Sequence, residues 1–386
     1  MKYDFDAVLD RSGTNSLKWD VKENELPMWV ADMDFKTAPE IISAIQKRAE
    51  HGIFGYSIIP DEWYNAYIGH WKNRYSYTME KDWLMFCTGV IPAISSTVRK
   101  LTTPAEKIVI QTPVYNIFYN CILNNGRNVL ENKLLYNDGE YSIDFTDLEQ
   151  KLSDPQTTLM ILCNPQNPVG KIWSKEELSK IGQLCFKYGV TVISDEIHCD
   201  ITDPDCTYTP FAAVSDICKN ISVTCITPTK AFNLAGLQTA AICVPNKNIR
   251  NRVNRAINTD EVAEPNSFAI DAAIAAFTKG EEWLDELRTY LFNNKKTVED
   301  YVSKYLSPIK LVKSQATYLL WLDCSGLPLD GRELATDLRE KTGLYLSAGI
   351  AYGENGRSFL RMNIACPKST LTDGLERLKK YCSNLQ

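Results

Sequence analysis

Six short apolar runs, separated in several places by helical stretches, constrain the fold of this chain more than any other sequence feature. The runs are WLMFC (83–87), KIVIQ (107–111), TLMILC (158–163), VTVIS (190–194), ISVTCI (221–226) and TAAICV (239–244). Between two of them, residues 174–188 predict a helix that begins with a capping box of Ser174 and Glu177. Strands that are apolar on both faces belong to largely parallel sheets covered by helices on both sides. The pattern therefore predicts an α/β fold.

The pattern changes in the last third of the chain. A long helix is predicted at 281–306, a strand at 317–323, a helix at 331–341 and a strand at 358–364. Near the other end, residues 39–51 predict a helix that begins at Pro39 and stops before Gly52. We expect a large domain at 46–284. We expect 1–45 and 285–386 to form a smaller α+β domain.

Composition excludes several classes of protein. The chain of 386 residues has a net charge of -6 and no basic stretch, so nucleic acid is not an expected partner. No apolar run approaches the roughly 20 residues that span a bilayer, and the start MKYDFDAVLDRSG lacks the apolar core of a signal peptide. We therefore expect a cytoplasmic protein that does not enter a membrane.

Cysteine and histidine spacing argues against disulfides and metal. The 12 cysteines are scattered singly without a CxxC pair, which is typical of reduced, buried thiols in the cytoplasm. The 3 histidines lie far apart in sequence, so no zinc site is expected.

Polar residues follow five of the predicted strands at the point where each strand ends. They are Thr88-Gly89, Thr112 to Tyr115, Asn164 to Asn167, Asp195-Glu196 and Thr227 to Lys230. Ligands of parallel sheets bind beyond the carboxyl ends of the strands. We therefore expect these residues to converge on one crevice.

Two of these strand ends carry recognisable chemistry. Thr88-Gly89 opens a helix, and a helix start presents unpaired N–H groups to an anion such as phosphate, although such turns are common. Lys230 follows a β-favouring run and is flanked by Thr227 and Thr229, which makes it a candidate amine nucleophile. By itself the motif is equally compatible with a solvated loop lysine.

The motifs taken together resemble a known family. They are MWVADMDF (28–35), FGY (54–56), TGVIPAI (88–94), QTPVY (111–115), NPQNPVG (164–170), SDEIHCD (194–200), TPTKAFNLAGLQ (227–238) and FLRMNIACP (359–367). Their order and content are similar to those of pyridoxal 5′-phosphate enzymes of fold type I in the aminotransferase class I/II superfamily, and more narrowly to the MalY/PatB group of cystathionine β-lyases. The resemblance covers essentially the whole chain. It implies a large domain with a mostly parallel seven-stranded sheet.

The resemblance assigns the cofactor contacts. It implies that Lys230 forms the Schiff base and that Asp195 faces the pyridinium nitrogen, although an aspartate after a strand is otherwise more often a cap or a surface acid. It also implies Asn167 on the cofactor's O3′ oxygen and Tyr115 stacked on the ring. The expected phosphate contacts are the amides of Gly89, Val90 and Ile91 and the hydroxyls of Thr227 and Thr229. For His198, an O3′ neighbour and a structural polar residue are equally good interpretations.

Substrate and subunit contacts follow in the same way. The resemblance implies that Arg361 binds the substrate α-carboxylate, since an apolar strand seldom carries an unpartnered arginine; a protein salt bridge is the alternative. It places Ala31, Tyr115 and Asn167 at the substrate too. Tyr56 would reach the phosphate of a neighbouring subunit, which implies a homodimer with shared active sites.

One departure bears on the reaction. Many aminotransferases carry an arginine eight residues after the lysine, where this chain has Gln238. A neutral amide cannot pair with a phosphate dianion, so backbone amides and hydroxyls must carry more of the binding. The sequence AGLQ at this place resembles the PatB-like lyases rather than typical aminotransferases, and this resemblance implies a lyase that releases a thiol, pyruvate and ammonia from cystathionine or other S-substituted cysteines. An aminotransferase and a lyase with an added regulatory protein-binding role remain alternatives. The glycine-rich stretch 348–356 predicts a mobile loop near Arg361.

Overall fold

The computed structural model describes residues 2–384. Its α-helices are α1 (Pro39–His51), α2 (Asp61–Tyr75), α3 (Val90–Leu101), α4 (Ile117–Leu123), α5 (Phe145–Leu152), α6 (Lys175–Lys187), α7 (Asp216–Ile221), α8 (Lys247–Thr259), α9 (Ala269–Lys279), α10 (Glu281–Tyr305), α11 (Gly331–Thr342) and α12 (Lys368–Ser383). Its strands are β1 (Leu26–Pro27), β2 (Leu84–Cys87), β3 (Lys107–Thr112), β4 (Asn128–Lys133), β5 (Leu135–Asn137), β6 (Glu140–Ser142), β7 (Thr157–Cys163), β8 (Thr191–Asp195), β9 (Ser222–Ile226), β10 (Ala240–Cys243), β11 (Lys310–Leu311), β12 (Leu319–Asp323), β13 (Leu344–Tyr345), β14 (Ser347–Ala348) and β15 (Phe359–Asn363).

The large sheet has seven strands in the order β2-β10-β9-β8-β7-β3-β4. Strand β10 is antiparallel to both of its neighbours, and the pairings from β9 to β4 are parallel. The predicted α/β fold with a mostly parallel seven-stranded sheet is therefore confirmed. The six apolar runs of the sequence did not include β4. Its residues NVLENK are only partly buried, because β4 lies at the edge of the sheet.

Both faces of this sheet are covered, as its continuous apolar strands require. On β8, Val192 packs into a cluster with Ile181 of α6, while its neighbour Ile193 packs into a cluster with Ile94 of α3 and Val253 of α8. Successive residues of a strand point to opposite faces, so one run such as VTVIS supplies two cores. The capping box of Ser174 and Glu177 is present at the start of α6.

A second, antiparallel sheet has the order β11-β12-β15-β14. The N-terminal segment reaches this part of the molecule, because β1 pairs in parallel with β13. Arg339 of α11 donates to both carboxylate oxygens of Glu25, at 2.8 Å each. This sheet carries Arg361 on β15, facing the large sheet's strand ends.

The stretch 348–356 is more ordered than its composition suggests. It contains two short 3-10 helices, Gly349–Tyr352 and Glu354–Gly356, in which Gly349, Tyr352 and Gly356 are buried. The two helices pack backbone to backbone: a Cβ on Gly349 would lie 2.3 Å from the carbonyl oxygen of Gly356. Its glycines therefore serve close packing, which differs from the expected loose loop.

Three further features bear on the expectations from composition. None of the helices within residues 2–384 combines the length and apolar character that a bilayer crossing needs. In the same part of the chain no group of three or more His, Cys, Asp or Glu side chains could hold a metal ion. All twelve cysteines are unpaired thiols, and only Cys206 is not fully buried.

Candidate active site

Five strand ends of the large sheet meet at one cavity of about 270 Å³. Its lining includes Gly89 after β2, Tyr115 after β3, Asn167 after β7, Asp195 at the end of β8 and Lys230 after β9. These are the five strand ends at which the sequence predicted converging polar residues. The tertiary structure therefore brings together residues that are up to 141 positions apart in the chain.

Lys230 is a part-buried amine held by a backbone carbonyl. Its Nζ donates a hydrogen bond to the carbonyl oxygen of Ala31 at 2.6 Å. Burial lowers the pKa of Lys230 to about 8, and the Arg361 cation acts in the same direction, while Asp32 and Asp195 oppose the shift. A substantial fraction of this amine is therefore neutral, and nucleophilic, near physiological pH.

Asp195 is a buried carboxyl without a cationic partner. Its Oδ1 accepts the N–H of Ile197 at 3.1 Å, and it forms no ion pair with any residue among 2–384. Burial raises the pKa of Asp195 to about 7, against the backbone hydrogen bond and the charge of Lys230, which lower it. A protonated ring nitrogen in the cavity would supply the missing positive charge.

The start of α3 forms the anion-binding side of the cavity. Gly89 is the N-cap, no side chain caps the helix, and Val90, Ile91 and Thr229 also line the cavity. A Cβ on Gly89 would lie 3.2 Å from Cδ of Pro92, so the tight turn favours glycine. Free N–H groups at a helix start suit a phosphate.

Thr227 lies behind the anion-binding side of the cavity and does not line the cavity itself. Its hydroxyl donates to the carbonyl oxygen of Thr239 at 2.6 Å and accepts the N–H of Thr229 at 3.1 Å. These hydrogen bonds shape the loop that carries Lys230, and the contact of the Thr227 hydroxyl with the phosphate stays a prediction. Thr239, which the motifs did not indicate, lines the cavity with a buried hydroxyl that lacks a partner among the described residues.

Tyr115 and His198 form part of the same wall. Burial raises the pKa of the Tyr115 phenol, and its ring packs edge-on against Phe118 with 5.9 Å between centroids. His198 is buried, and burial, with the charges of Lys230 and Arg361, lowers its pKa to about 3. The imidazole is therefore neutral, and within the described part of the chain its Nδ1 has no hydrogen-bond partner.

Arg361 is a buried guanidinium that the protein does not neutralise. Its side chain donates to Oδ1 of Asn167 at 3.2 Å and to the carbonyl oxygen of Trp29 at 2.8 Å, and lies 4.8 Å from the centroid of the Tyr352 ring. It makes no salt bridge within residues 2–384, and its Nε has no partner there. A buried unpaired cation is costly, so the site is arranged to receive an anion.

Beyond Arg361 a larger cavity of about 1260 Å³ opens toward solvent and shares Ala31, Tyr115 and Lys230 with the first. Its wall contains Trp29 stacked on Tyr345 with 4.8 Å between ring centroids. Neither Trp29 nor Tyr352 could be assigned to the site from sequence, because each reaches it through packing against Arg361 or its strand. This cavity leaves room for a long substrate side chain.

Tyr56, like Thr227, is a predicted site residue that does not line either cavity. Its side chain is 100% exposed, and Ile53, Phe54 and Ile58 beside it are more than half exposed. Gln238, at the rim of the smaller cavity, is also exposed. Within one chain, nothing brings Tyr56 to the anion-binding side.

Comparison with known proteins gives the class of protein. The family model for aminotransferase class I and II matches residues 24–378, and the chain belongs to this family. Its fold is that of the pyridoxal 5′-phosphate-dependent enzymes of fold type I.

Particular relatives are similar over their full length. The chain is 44% identical to cystathionine beta-lyase PatB of Bacillus subtilis (strain 168), covering 98% of this chain and 100% of PatB. It is 35% identical to protein MalY of Escherichia coli (strain K12), covering 97% and 98%. The structure of cystalysin from Treponema denticola, which contains pyridoxal 5′-phosphate, matches with a TM-score of 0.97 and 31% identity over 100% of both chains.

The residues of the cavity fit this cofactor. Within residues 2–384, the start of α3 has no side-chain cap and suits the phosphate of pyridoxal 5′-phosphate, and Asp195 has no cationic partner and suits its ring nitrogen. The Lys230 amine, with its lowered pKa, suits the aldehyde, and the neutral His198, whose Nδ1 has no partner in that part of the chain, suits the phenolic oxygen. The cofactor of this protein is pyridoxal 5′-phosphate.

Proposed function

We propose that this protein is a carbon–sulfur β-lyase that cleaves cystathionine and related S-substituted L-cysteines to a thiol, pyruvate and ammonia. The observation that carries the proposal is Arg361, a buried cation that has no carboxylate partner among residues 2–384 and that lines the same cavity as Lys230. This pair suits an α-amino acid, with the carboxylate on the guanidinium and Cα near the amine. The similarity to PatB, a cystathionine beta-lyase, supports elimination from Cβ as the reaction.

The roles of the cavity residues follow from their chemistry. Lys230 would hold the cofactor covalently, Asp195 would pair with its ring nitrogen and Tyr115 would stack on its ring. Asn167 and His198 would contact O3′, and the amides of Gly89, Val90 and Ile91 with the hydroxyl of Thr229 would hold the phosphate. When bound, pyridoxal 5′-phosphate supplies an electron sink for the pair left at the substrate Cα.

The chain's own groups then handle the protons. The Nζ of Lys230, once released by the substrate amine, removes the Cα proton, because a neutral amine is the form that accepts one. The same Nζ then donates a proton to the departing sulfur. Asp195, as a carboxylate, keeps the ring nitrogen protonated throughout. Arg361 and Asn167 hold the substrate so that its Cα–H bond faces Lys230.

The resemblance of AGLQ (235–238) to the same stretch of PatB-like lyases supports the lyase over the aminotransferase alternative, and Gln238 is its last residue. The amide of Gln238 cannot replace the charge of an arginine on the phosphate, so amides and hydroxyls hold more of that dianion. The 44% identity to PatB, a cystathionine beta-lyase, supports the same choice. The alternative of an added regulatory role rests on the family resemblance alone.

Subunit arrangement and location complete the proposal. We infer a homodimer in which Tyr56 of one subunit reaches the phosphate of the other, because Tyr56 is fully exposed and the cavity opens at Gln238. We propose a large domain of 46–284 and a small domain of 1–45 with 285–386, supported by the two separate sheets. Buried unpaired cysteines support a cytoplasmic location.

A pyruvate assay over a panel of S-substituted cysteines tests the reaction. We expect pyruvate and free thiol in equal amounts from cystathionine or an S-alkyl cysteine. The variant Lys230→Ala should lose at least about 1000-fold in rate while it stays folded, since one group performs both proton transfers. Alanine, which lacks a leaving group at Cβ, is the control substrate. If alanine converts the cofactor stoichiometrically to its amine form, and the thioethers release no pyruvate, the protein is an aminotransferase instead.

A further inference from the structure

Thr239 is a buried threonine in the wall of the smaller cavity, and its hydroxyl is not used by the protein. The residue is 1% exposed, and its Oγ1 has no hydrogen-bond partner among residues 2–384. It lines the cavity together with Gly89, Val90 and Ile91. A buried hydroxyl without a partner costs free energy, and such groups in folded proteins normally have a protein, water or ligand partner. The position of Thr239 in the fold indicates which ligand this is.

The register of the large sheet places Thr239 beside the start of α3. Strand β10 is antiparallel to β2, with Ala240 opposite Cys87, so Thr239 lies level with Thr88. Thr88 directly precedes Gly89, the N-cap of α3. The free N–H groups and the positive end of the helix dipole lie at this point, where they favour an anion. The unused hydroxyl is therefore on the anion-binding side of the cavity.

On its other side, Thr239 is fixed to the loop that carries Lys230. Its carbonyl oxygen accepts from the Thr227 hydroxyl at 2.6 Å, and Oγ1 of Thr227 accepts the N–H of Thr229 at 3.1 Å. These bonds engage the backbone of Thr239 and leave its own hydroxyl free. The preceding residue, Gln238, has a left-handed backbone with φ of 50° and is exposed. The buried polar side chain at this corner is therefore that of Thr239.

We propose that the Thr239 hydroxyl donates a hydrogen bond to the phosphate of pyridoxal 5′-phosphate and so supplies part of the binding for which this chain has no arginine at position 238. The inference rests on the proposed contacts between the amides at the start of α3 and the same phosphate. A phosphate dianion accepts several hydrogen bonds at once, and a hydroxyl beside the helix start adds one. Thr239 would then be a cofactor-binding residue that none of the family motifs indicates.

A second buried hydroxyl offers Thr239 an alternative partner. Tyr67 of α2 is completely buried, and its phenol oxygen also forms no hydrogen bond of normal geometry in the described part of the chain. Burial raises the pKa of Tyr67, and the neighbouring Thr239 hydroxyl opposes that rise. If Thr239 serves only to pair with Tyr67, its hydroxyl stabilises the protein with or without cofactor. If it binds phosphate, its removal weakens only the form that holds the cofactor.

The test compares pyridoxal 5′-phosphate with pyridoxal, which lacks only the phosphate, as ligands of the full chain freed of its cofactor. The absorbance of the bound ligand gives each dissociation constant. We expect Thr239→Val to raise the dissociation constant of pyridoxal 5′-phosphate about tenfold, the order of one hydrogen bond to a charged group, and to leave that of pyridoxal unchanged. Thr239→Ser keeps the hydroxyl and should stay close to the wild type. Inorganic phosphate should compete less well with pyridoxal 5′-phosphate in Thr239→Val than in the wild type.

Thr97→Val is the matched control. Thr97 on α3 is completely buried and its hydroxyl also has no partner among residues 2–384, but it does not line the cavity. Its exchange should leave both dissociation constants unchanged. Both valine variants should keep or raise the Tm of the cofactor-free chain, because each removes a buried, unpaired polar group. Only Thr239→Val should reduce the rise in Tm that pyridoxal 5′-phosphate produces.

The phosphate dependence separates this inference from a structural role of Thr239. The inference is wrong if Thr239→Val weakens both ligands equally, or if it lowers the Tm of the cofactor-free chain without a change in either dissociation constant. Should Thr239→Val not fold, Thr239→Ala makes the same comparison with a smaller side chain. A wild type that binds the two ligands equally well would contradict the proposed phosphate contacts of α3. A preference for pyridoxal 5′-phosphate that Thr239→Val leaves intact overturns only this inference.

Discussion

At the scale of single residues, the site is built from charges that the chain itself leaves unsatisfied. Arg361 lacks a carboxylate, Asp195 lacks a cation, and one imidazole nitrogen of His198 lacks a partner among residues 2–384. Each of these costs free energy in the absence of ligand. The unpaired cation lines the larger cavity and the unpaired carboxyl lines the smaller one, and together they describe a zwitterionic substrate and a charged cofactor more specifically than any single motif.

Exchange of Arg361 for lysine tests the carboxylate site. Lysine keeps the positive charge but loses the planar fork that bonds two oxygens at once. We expect Arg361→Lys to lower kcat/KM by roughly 100-fold, mainly through KM, because charge-assisted hydrogen bonds of about 1.5–3 kcal/mol are lost. Steady-state pyruvate release measures this. Arg357→Lys should be indistinguishable from the wild type, and an unchanged KM in Arg361→Lys would contradict the assignment.

Glu196 gives a prediction about pH and stability. Burial raises its pKa to about 7 although Ser194 and the N–H of Phe211 donate to its Oε1. A carboxyl with a raised folded pKa stabilises the protein fully below its unfolded pKa of about 4.5, and this contribution is lost as the pH rises through about 7. We expect Glu196→Gln to lessen the fall in Tm between pH 5 and pH 8.

The free energies of unfolding of the wild type and of Glu196→Gln must be compared at both pH values, because the glutamine could change stability by the same amount at each. A difference of a few kcal/mol between the two, in favour of the variant at the higher pH, is the expected result. Denaturant unfolding at pH 5 and pH 8 checks it. Parallel curves for the two proteins would show that Glu196 does not titrate in this range.

At the scale of secondary structure elements, strand ends and helix starts position the chemistry. Asp195 ends β8, Gly89 caps α3, and Lys230 lies four residues beyond β9. Arg361 lies on β15 of the second sheet, and β15 pairs with β12 on one side and β14 on the other. The two 3-10 helices near it depend on close backbone contact, so their glycines are structural rather than hinge-like.

Two glycine-to-alanine exchanges test this packing. Gly349→Ala would place a Cβ 2.3 Å from the Gly356 carbonyl oxygen and 2.8 Å from the Trp321 ring, and we expect a loss of at least about 2 kcal/mol in the free energy of unfolding. Gly69→Ala, inside α2 with no atom within 4 Å, should be neutral or gain up to about 1 kcal/mol. Denaturant unfolding of both variants measures the contrast. A harmless Gly349→Ala would restore the interpretation of 348–356 as a loose loop.

At the scale of the whole molecule, the segment 53–58 exposes large apolar side chains to solvent, which a single copy of the chain does not explain. Ile53, Phe54 and Ile58 are 68%, 56% and 81% exposed. Such side chains close together mark an interaction surface. A second copy of the chain that covers them would also close the cavity at its open rim.

Introduction of charge into this segment tests the dimer. We expect Phe54→Asp with Ile58→Asp to give a monomer with weakened cofactor retention, measured by light scattering and by dialysis against buffer. Phe186→Asp, on α6 and 59% exposed, is the control that should leave the mass unchanged. Tyr56→Phe should stay dimeric and lose cofactor affinity about tenfold, the value of one hydrogen bond to a charged group. A monomeric wild type would contradict the shared site.

The local pattern of the chain was sufficient for the central part of the fold. Runs such as VTVIS predicted buried parallel strands, because a strand that is apolar on both faces must be covered on both sides, as in a parallel sheet between two layers of helices. The same reasoning missed β4, because its sequence NVLENK is mostly polar, as suits a strand at the edge of the sheet. Lys230 and Asp195 could be placed together since strand ends of a parallel sheet must converge, whereas Arg361, on β15 of the other sheet, was indicated only by the family resemblance.

What the sequence by itself determined is therefore the class of fold, the order of the strand-end residues and the family that they resemble. Only the tertiary structure decided which of those residues face the cavity. It placed Thr227 behind the loop and Thr239 in the wall, and it brought the carbonyl of Ala31 to Lys230. The physical reason is that periodicity encodes burial along one element, whereas hydrogen-bond partners and unpaired charges depend on how separate elements meet.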